Sequence, residues 1–291
     1  MQRYIIVFIL SFLLVGCGNG ADSRGDSDVE VLSVTIEPQR YFLEKIVGNK
    51  FQVRTLVPSG ASPEMYEPAP STMVDLSKSK LYFIIGDLGF EKAWGKKLKE
   101  LNDNVGIVDC SEGLSLLEDI HDHDHGENVQ HEHGTLDPHI WTSPVAAKVI
   151  AQNMYHAMLR LDPDNSDYYE ENYESLVSFI EETDNNIQKI LEESNGRSFI
   201  IYHPALGYFA DQYSLTQYSI EFEGKNPSPA QMKRLLDMAK KENIKTVFVQ
   251  KGFDKKNGKV VAQETGASVH EIDPLSYEWS GELIRIAKLI R

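Results

Sequence analysis

Two hydrophobic periods take turns along this chain. Val31 to Ile36, Phe51 to Val57, Leu81 to Ile85 and Val105 to Asp109 are short apolar or β-branched runs of strand length. Helical spacing fills the intervals. Pro38 to Val47 puts Tyr41, Phe42, Ile46 and Val47 inward and stops at Gly48, Ser71 to Lys78 forms a short helix, and Gly89 to Leu101 is amphipathic. The second half repeats the alternation, with strands at Ser198 to Tyr202, Thr216 to Ile220, Ile244 to Val249 and Ser268 to Ile272. Helices over Ala205 to Tyr213, Pro229 to Glu242, Lys255 to Thr265 and Ser280 to Ile290 separate and follow them. Strands alternating with helices predict an α/β fold with mainly parallel sheets.

Between the halves the rhythm changes. Residues 119–134 carry almost nothing apolar, and then Thr142 or Ser143 caps a helix that opens at Pro144 and runs to about Leu161. Asn165 to Glu193 follows as one long amphipathic stretch, with Tyr169, Tyr173, Leu176, Phe179, Ile180, Ile187, Ile190 and Leu191 falling on one face at steps built from three and four residues. It exceeds an ordinary crossover helix and predicts a rigid spine between two lobes. The expected division is an N-terminal lobe over 31–161, a linking helix over 162–195 and a C-terminal lobe over 196–291.

The N-terminus sets the compartment. Arg3 precedes a twelve-residue stretch, Tyr4 to Val15, broken only by Ser11; that is signal-peptide length and too short to span a bilayer. Leu14-Val15-Gly16-Cys17 resembles a bacterial lipobox, which implies removal of 1–16 and lipid attachment at Cys17. Residues 17–30 then form a polar tether, so the mature protein is expected on the outer face of a bacterial membrane, periplasmic or at the cell surface. With Cys17 lipidated, Cys110 has no disulfide partner and reads as a small buried side chain. The net charge of −15 argues against nucleic acid as a partner.

Four metal-competent residues follow strands or precede helices. Glu64 lies past the second strand, His139 precedes the helix begun by Pro144, His203 follows Tyr202, and Asp273 follows Ile272. Ligands of open α/β sheets bind beyond the carboxyl ends of strands, so these donors, two per half, are placed to meet in an interlobe cleft. Each also has a plainer role: a solvated acid for Glu64, a hydrogen-bonding histidine for His203, a turn residue for Asp273. His156 inside a helix and His270 inside a strand read as structural. There is no His-Glu-x-x-His helix and no nucleophile motif, so an enzyme is not expected.

Pro58-Ser59-Gly60-Ala61-Ser62-Pro63-x-x-Tyr66-x-Pro68, Asp137-Pro138-His139-Ile140-Trp141, Tyr202-His203-Pro204-Ala205-x-x-Tyr208-Phe209 and Ile272-Asp273-Pro274-Leu275 occur in that order. Together they resemble the landmarks of the metal-specific solute-binding proteins of ABC importers, the zinc and manganese binders of cluster A-I. The resemblance implies a rigid pair of lobes, one metal in the cleft and docking on a membrane permease by a monomer. It carries His139, His203 and Asp273 over as ligands. At the first position the family usually has histidine where this chain has Glu64; either Glu64 ligates, or a water or Glu67 fills the place. Zn2+ is the expected substrate, and two carboxylates beside two imidazoles leave Mn2+ or Fe2+ as alternatives. A surface adhesin or a metal buffer without a permease is the alternative of a different class.

The 119–134 segment holds His121, His123, His125, His131 and His133, five of the nine histidines. Alternating His and Asp supplies borderline donors that suit Zn2+, and the resemblance associates such inserts with zinc. It is expected to gather ions weakly as an auxiliary loop.

Overall fold

A computed structural model describes residues 29–101, 104–118, 136–222 and 224–290. Cys17, the segments flanking it and the five histidines of the insert lie outside them.

Both lobes are four-stranded, wholly parallel sheets with helices packed on them. In the first, β1 (Val31–Val34), β2 (Gln52–Thr55), β3 (Ser79–Ile84) and β4 (Gly106–Asp109) stand in the order β2-β1-β3-β4. In the second, β5 (Ser198–Ile201), β6 (Thr216–Ser219), β7 (Thr246–Gln250) and β8 (Ser268–Ile272) repeat that order as β6-β5-β7-β8. The most buried strands explain the arrangement: every residue of β1 and of β7 is buried, as central parallel strands covered on both faces must be.

The helices are α1 (Glu37–Val47), α2 (Pro70–Leu76), α3 (Gly89–Leu101), α4 (Pro144–Leu161), α5 (Ser166–Glu192), α6 (Gly207–Gln212), α7 (Pro229–Lys241), α8 (Lys256–Thr265) and α9 (Trp279–Leu289). Each expected strand and helix is present, with ends shifted by a few residues. β1 stops at Val34 rather than Ile36 because the amides of Thr35 and Ile36 both donate to Gln39 Oε1. α4 begins as its sequence demands: Pro144 needs no amide partner and Ser143 Oγ accepts from Ala146 N at 3.2 Å. A one-turn 3-10 helix, Ile140–Thr142, precedes it and has no counterpart in the hydrophobic pattern.

α5 is the spine. Its 27 residues span about 40 Å at the α-helical rise. Tyr169, Leu176, Ile180, Thr183, Ile187 and Leu191 form its buried stripe, against α1 and α4 on one side and α9 on the other. A second tie lies beneath the cleft, where C-terminal aromatics enter the N-terminal lobe. The Trp279 ring meets Phe42 edge-on at 5.1 Å and Tyr277 meets Tyr41 at 5.4 Å. Trp279 Nε1 donates to Trp141 O at 2.7 Å, and Trp141 Nε1 donates to Pro274 O at 2.8 Å. Both indole N–H groups are thus satisfied across the lobe boundary, and the apolar core runs through it unbroken.

Candidate metal centre

The cleft above this junction is a cavity of about 140 Å3 lined from both lobes. Its N-terminal wall is the loop after β2. Ala61 N donates to Pro58 O and Met65 N to Ser62 O, folding the loop into consecutive turns. Phe90 N then ties Pro63 O to the start of α3 at 2.9 Å. Gly89 is required there: a Cβ would fall 2.7 Å from Glu64 O and 3.0 Å from Glu64 Cα. The packing turns the Glu64 carboxylate inward, and its Oε1 is buried with no hydrogen-bond partner.

His139 lies on the cavity floor, 6 % exposed. Asp137 Oδ1 accepts from both the backbone N (2.9 Å) and ring Nδ1 (2.7 Å) of His139. A proton on Nδ1 leaves the Nε2 lone pair facing the cavity, the arrangement of a metal-binding imidazole oriented by a carboxylate. His203 comes from the opposite lobe, one residue past Tyr202. Gln250, the last residue of β7, accepts from His203 N and donates to His203 O, holding the backbone between the two central strands. The imidazole stacks on Phe253 (5.7 Å, 12°), and its Nδ1 lies 3.5 Å from Glu221 Oε2.

These placements bring the two Nε2 atoms to 3.3 Å, and His139 Nε2 to 4.0 Å from Glu64 Oε1. One ligand atom from each of Glu64, His139 and His203 lies within 4.8 Å of the others. Zinc–nitrogen bonds of about 2.0–2.1 Å set the edge of a tetrahedral site at about 3.3 Å, so the imidazole pair already has zinc-site spacing.

Asp273 lines the same cavity but stands outside this group of three. Lys251 N donates to Ile272 O at 2.8 Å, which sets Lys251 beside Asp273, and its Nζ reaches Asp273 Oδ2 at 3.3 Å. Glu67 is exposed and does not line the cavity. His156 is exposed beside Tyr155, and His270 packs near Phe248, both away from the cleft. Cys110 is fully buried, and burial pushes its thiol well above the usual range, so it is no ready thiolate. Sequence reasoning missed Asp137, Glu221 and Lys251 as parts of the site. Glu221 and Lys251 just follow β6 and β7, so the strand-end rule that nominated His203 also covers them.

Two parallel-sheet lobes on a rigid spine, with imidazoles and a carboxylate converging between them, define the two-lobed metal-receptor class. The sequence profile of the family described as zinc-uptake complex component A, periplasmic, matches residues 32–282. The high-affinity zinc uptake system protein ZnuA of Bacillus subtilis (strain 168) is 30% identical over 290 residues, covering 93% of this chain and 88% of its own. The manganese ABC transporter substrate-binding lipoprotein scaA of Streptococcus gordonii is 26% identical over 285 residues, covering 92% and 87%. A crystal structure of ZnuA superposes with a TM-score of 0.82 at 38% identity, covering 90% of this chain and 97% of that one. The chain belongs to the zinc-uptake complex component A family, and the resemblance drawn from its four motifs is borne out. Members are extracytoplasmic solute-binding components of metal importers rather than enzymes. Among the described residues no helix is long and apolar enough to cross a membrane.

Proposed function

We propose that this protein captures one Zn2+ between His139 Nε2, His203 Nε2, Glu64 Oε1 and the Asp273 carboxylate, which lines the same cavity, and hands it to an ABC permease. One observation carries the reading. Two imidazole nitrogens stand at zinc-site spacing beside a buried carboxylate oxygen that has no hydrogen-bond partner. An orphaned buried oxygen is unfavourable, and a dication at this point would relieve it. Asp137 and Glu221 act behind the ligands, fixing ring orientation and adding negative charge. The protein works as a monomer, lipidated at Cys17 and held to the membrane by the 17–30 tether ahead of the 31–161 lobe. His121, His123, His125, His131 and His133 gather additional zinc weakly.

A manganese-binding reading draws on the oxygen donor from Glu64 and on the likeness to scaA. Competitive titration of Zn2+ and Mn2+ into metal-stripped protein separates the two. Zinc should bind at least tenfold tighter, and His203→Ala should abolish that tight phase while deletion of 121–133 spares it. Tight zinc binding by His203→Ala would remove this site from consideration.

A further inference from the structure

Asp273 owes its place in the cleft to a peptide plane held at both edges. On one edge Ile272 O accepts from Lys251 N at 2.8 Å, and on the other Asp273 N donates to Glu282 Oε1 at 2.7 Å. The first bond continues the β7–β8 register, whereas the second comes from a side chain in the first turn of α9. Pro274 adds a restraint of its own, because the residue before a proline is driven away from helical backbone. Pro274 O is in turn held by Trp141 Nε1 at 2.8 Å. With these angles restrained, the Asp273 carboxylate keeps little freedom beyond rotation of its own side chain.

Glu282 is itself fixed. Its side chain is only 12% exposed, and Arg285 donates to it twice, from Nε to Oε2 at 2.7 Å and from Nη2 to Oε1 at 2.5 Å. The same Nη2 donates to Glu271 O at 3.0 Å, so the pair also grips β8 two residues before Asp273. Beneath it α9 packs on the spine α5, with Trp279, Leu283 and Ile286 buried. We propose that Glu282 is the positioning residue for Asp273, a hydrogen-bond acceptor that presents the Asp273 carboxylate to the bound Zn2+; this rests on the ligand set proposed above. The bond is made to the Asp273 backbone, so it leaves that carboxylate free to ligate. Arg285 offsets the charge of Glu282, so the contribution is geometry rather than field. Partners standing behind a metal ligand are worth about 10–100-fold in affinity.

The test is titration of Zn2+ against a competing chelator in metal-stripped protein, comparing wild type with Glu282→Met, Glu282→Gln, Asp273→Ala and the Glu282→Met/Asp273→Ala double variant. Methionine keeps the stem and drops the carboxylate acceptor, whereas glutamine keeps an acceptor oxygen. Glu282→Met should weaken zinc at least about tenfold, about 1.4 kcal/mol, and Glu282→Gln should stay within about threefold of wild type. In the double variant the Glu282 change should cost nothing beyond Asp273→Ala, because there is no carboxylate left to position. A purely structural role would lower affinity by the same factor in both backgrounds. The proposal is overturned if Glu282→Met binds zinc like wild type, if Glu282→Gln is as damaging as Glu282→Met, or if the double variant falls a further tenfold below Asp273→Ala. Wild-type affinity in Asp273→Ala would instead remove Asp273 from the ligand set, and the proposal with it. A weakened Asp273→Ala beside an unaffected Glu282→Met overturns the positioning role alone.

Discussion

Replacing Glu64 with alanine should push zinc affinity and metal-free stability in opposite directions. Its Oε1 is buried without a hydrogen-bond partner, and leaving such an atom unpaired costs about 1–3 kcal/mol. The Glu64 side chain as a whole is 31% exposed, so the lower end of that range, about 1 kcal/mol, is the relief expected on removing it. For a chain of this size that raises the unfolding midpoint of the metal-free protein by about 2–4 °C. With zinc present the sign reverses. Structural zinc sites with four protein ligands bind with about 10–16 kcal/mol, roughly 3 kcal/mol per ligand, so replacing the carboxylate by water should weaken binding about 100-fold. Competition against a chromogenic chelator measures the affinity. Thermal melts with and without excess zinc measure the stability, and the zinc-dependent rise in midpoint should shrink in the variant. A lower metal-free midpoint together with a zinc Kd within threefold of wild type would refute the argument. Glu64 would then be a structural loop acid.

Asp137→Asn removes the negative charge behind His139 Nδ1 and should weaken zinc about 10–100-fold, with an unchanged circular dichroism spectrum. Trp279→Ala empties the space against Phe42 and strands Trp141 O, so a loss of about 3–5 kcal/mol is expected in urea denaturation. Glu91, buried under Thr35, has its pKa raised by desolvation to about 7, against an ordinary value of 4.5. The folded state therefore holds its proton more tightly than the unfolded chain does. Its contribution is a penalty absent below about pH 4.5, growing as pH rises to about 7 and constant above, about 3 kcal/mol in all. Urea midpoints of metal-free wild type minus Glu91→Gln, compared at pH 5 and pH 8, should show that fall; an unchanged difference counts against it.

The fold was legible because its strands and helices announce themselves locally. β7 centres on Val247-Phe248-Val249 and is buried throughout, and α5 carries its stripe over about six turns. Pro144 after Ser143 and Pro229 after Ser228 each mark a helix start to the residue. His139 and His203 were legible for a different reason: each stands beside a proline at an element boundary, where a buried imidazole has few structural duties. What stayed hidden depends on pairing between distant strands. Nothing local to Asp273 says that residue 251 is a lysine delivered beside it by β7–β8 register. Nor does anything local to Glu64 say that Gly89 lets α3 press upon its backbone.

The two halves share a strand order, yet the cleft uses their strand ends unequally. In the C-terminal lobe the crevice between β5 and β7 receives His203 and Gln250, as the switch-point rule expects. In the N-terminal lobe the equivalent crevice, between β1 and β3, is filled from within. Glu91 Oε1 accepts from Ile85 N at 2.9 Å and from Thr35 Oγ1, and Oε2 accepts from Gly86 N at 2.7 Å. A carboxylate of the protein's own occupies the position where backbone amides would welcome an external anion. With that crevice closed, the N-terminal donors come from outside it: Glu64 from the loop after β2, and His139 from the turn before α4. The same plug steadies the first of these, because Glu91 adjoins Phe90, whose amide holds Pro63 O. The burial that makes Glu91 an unfavourable carboxylate thus also keeps the Glu64 loop in place, which links a stability penalty in one lobe to the geometry of the metal cleft.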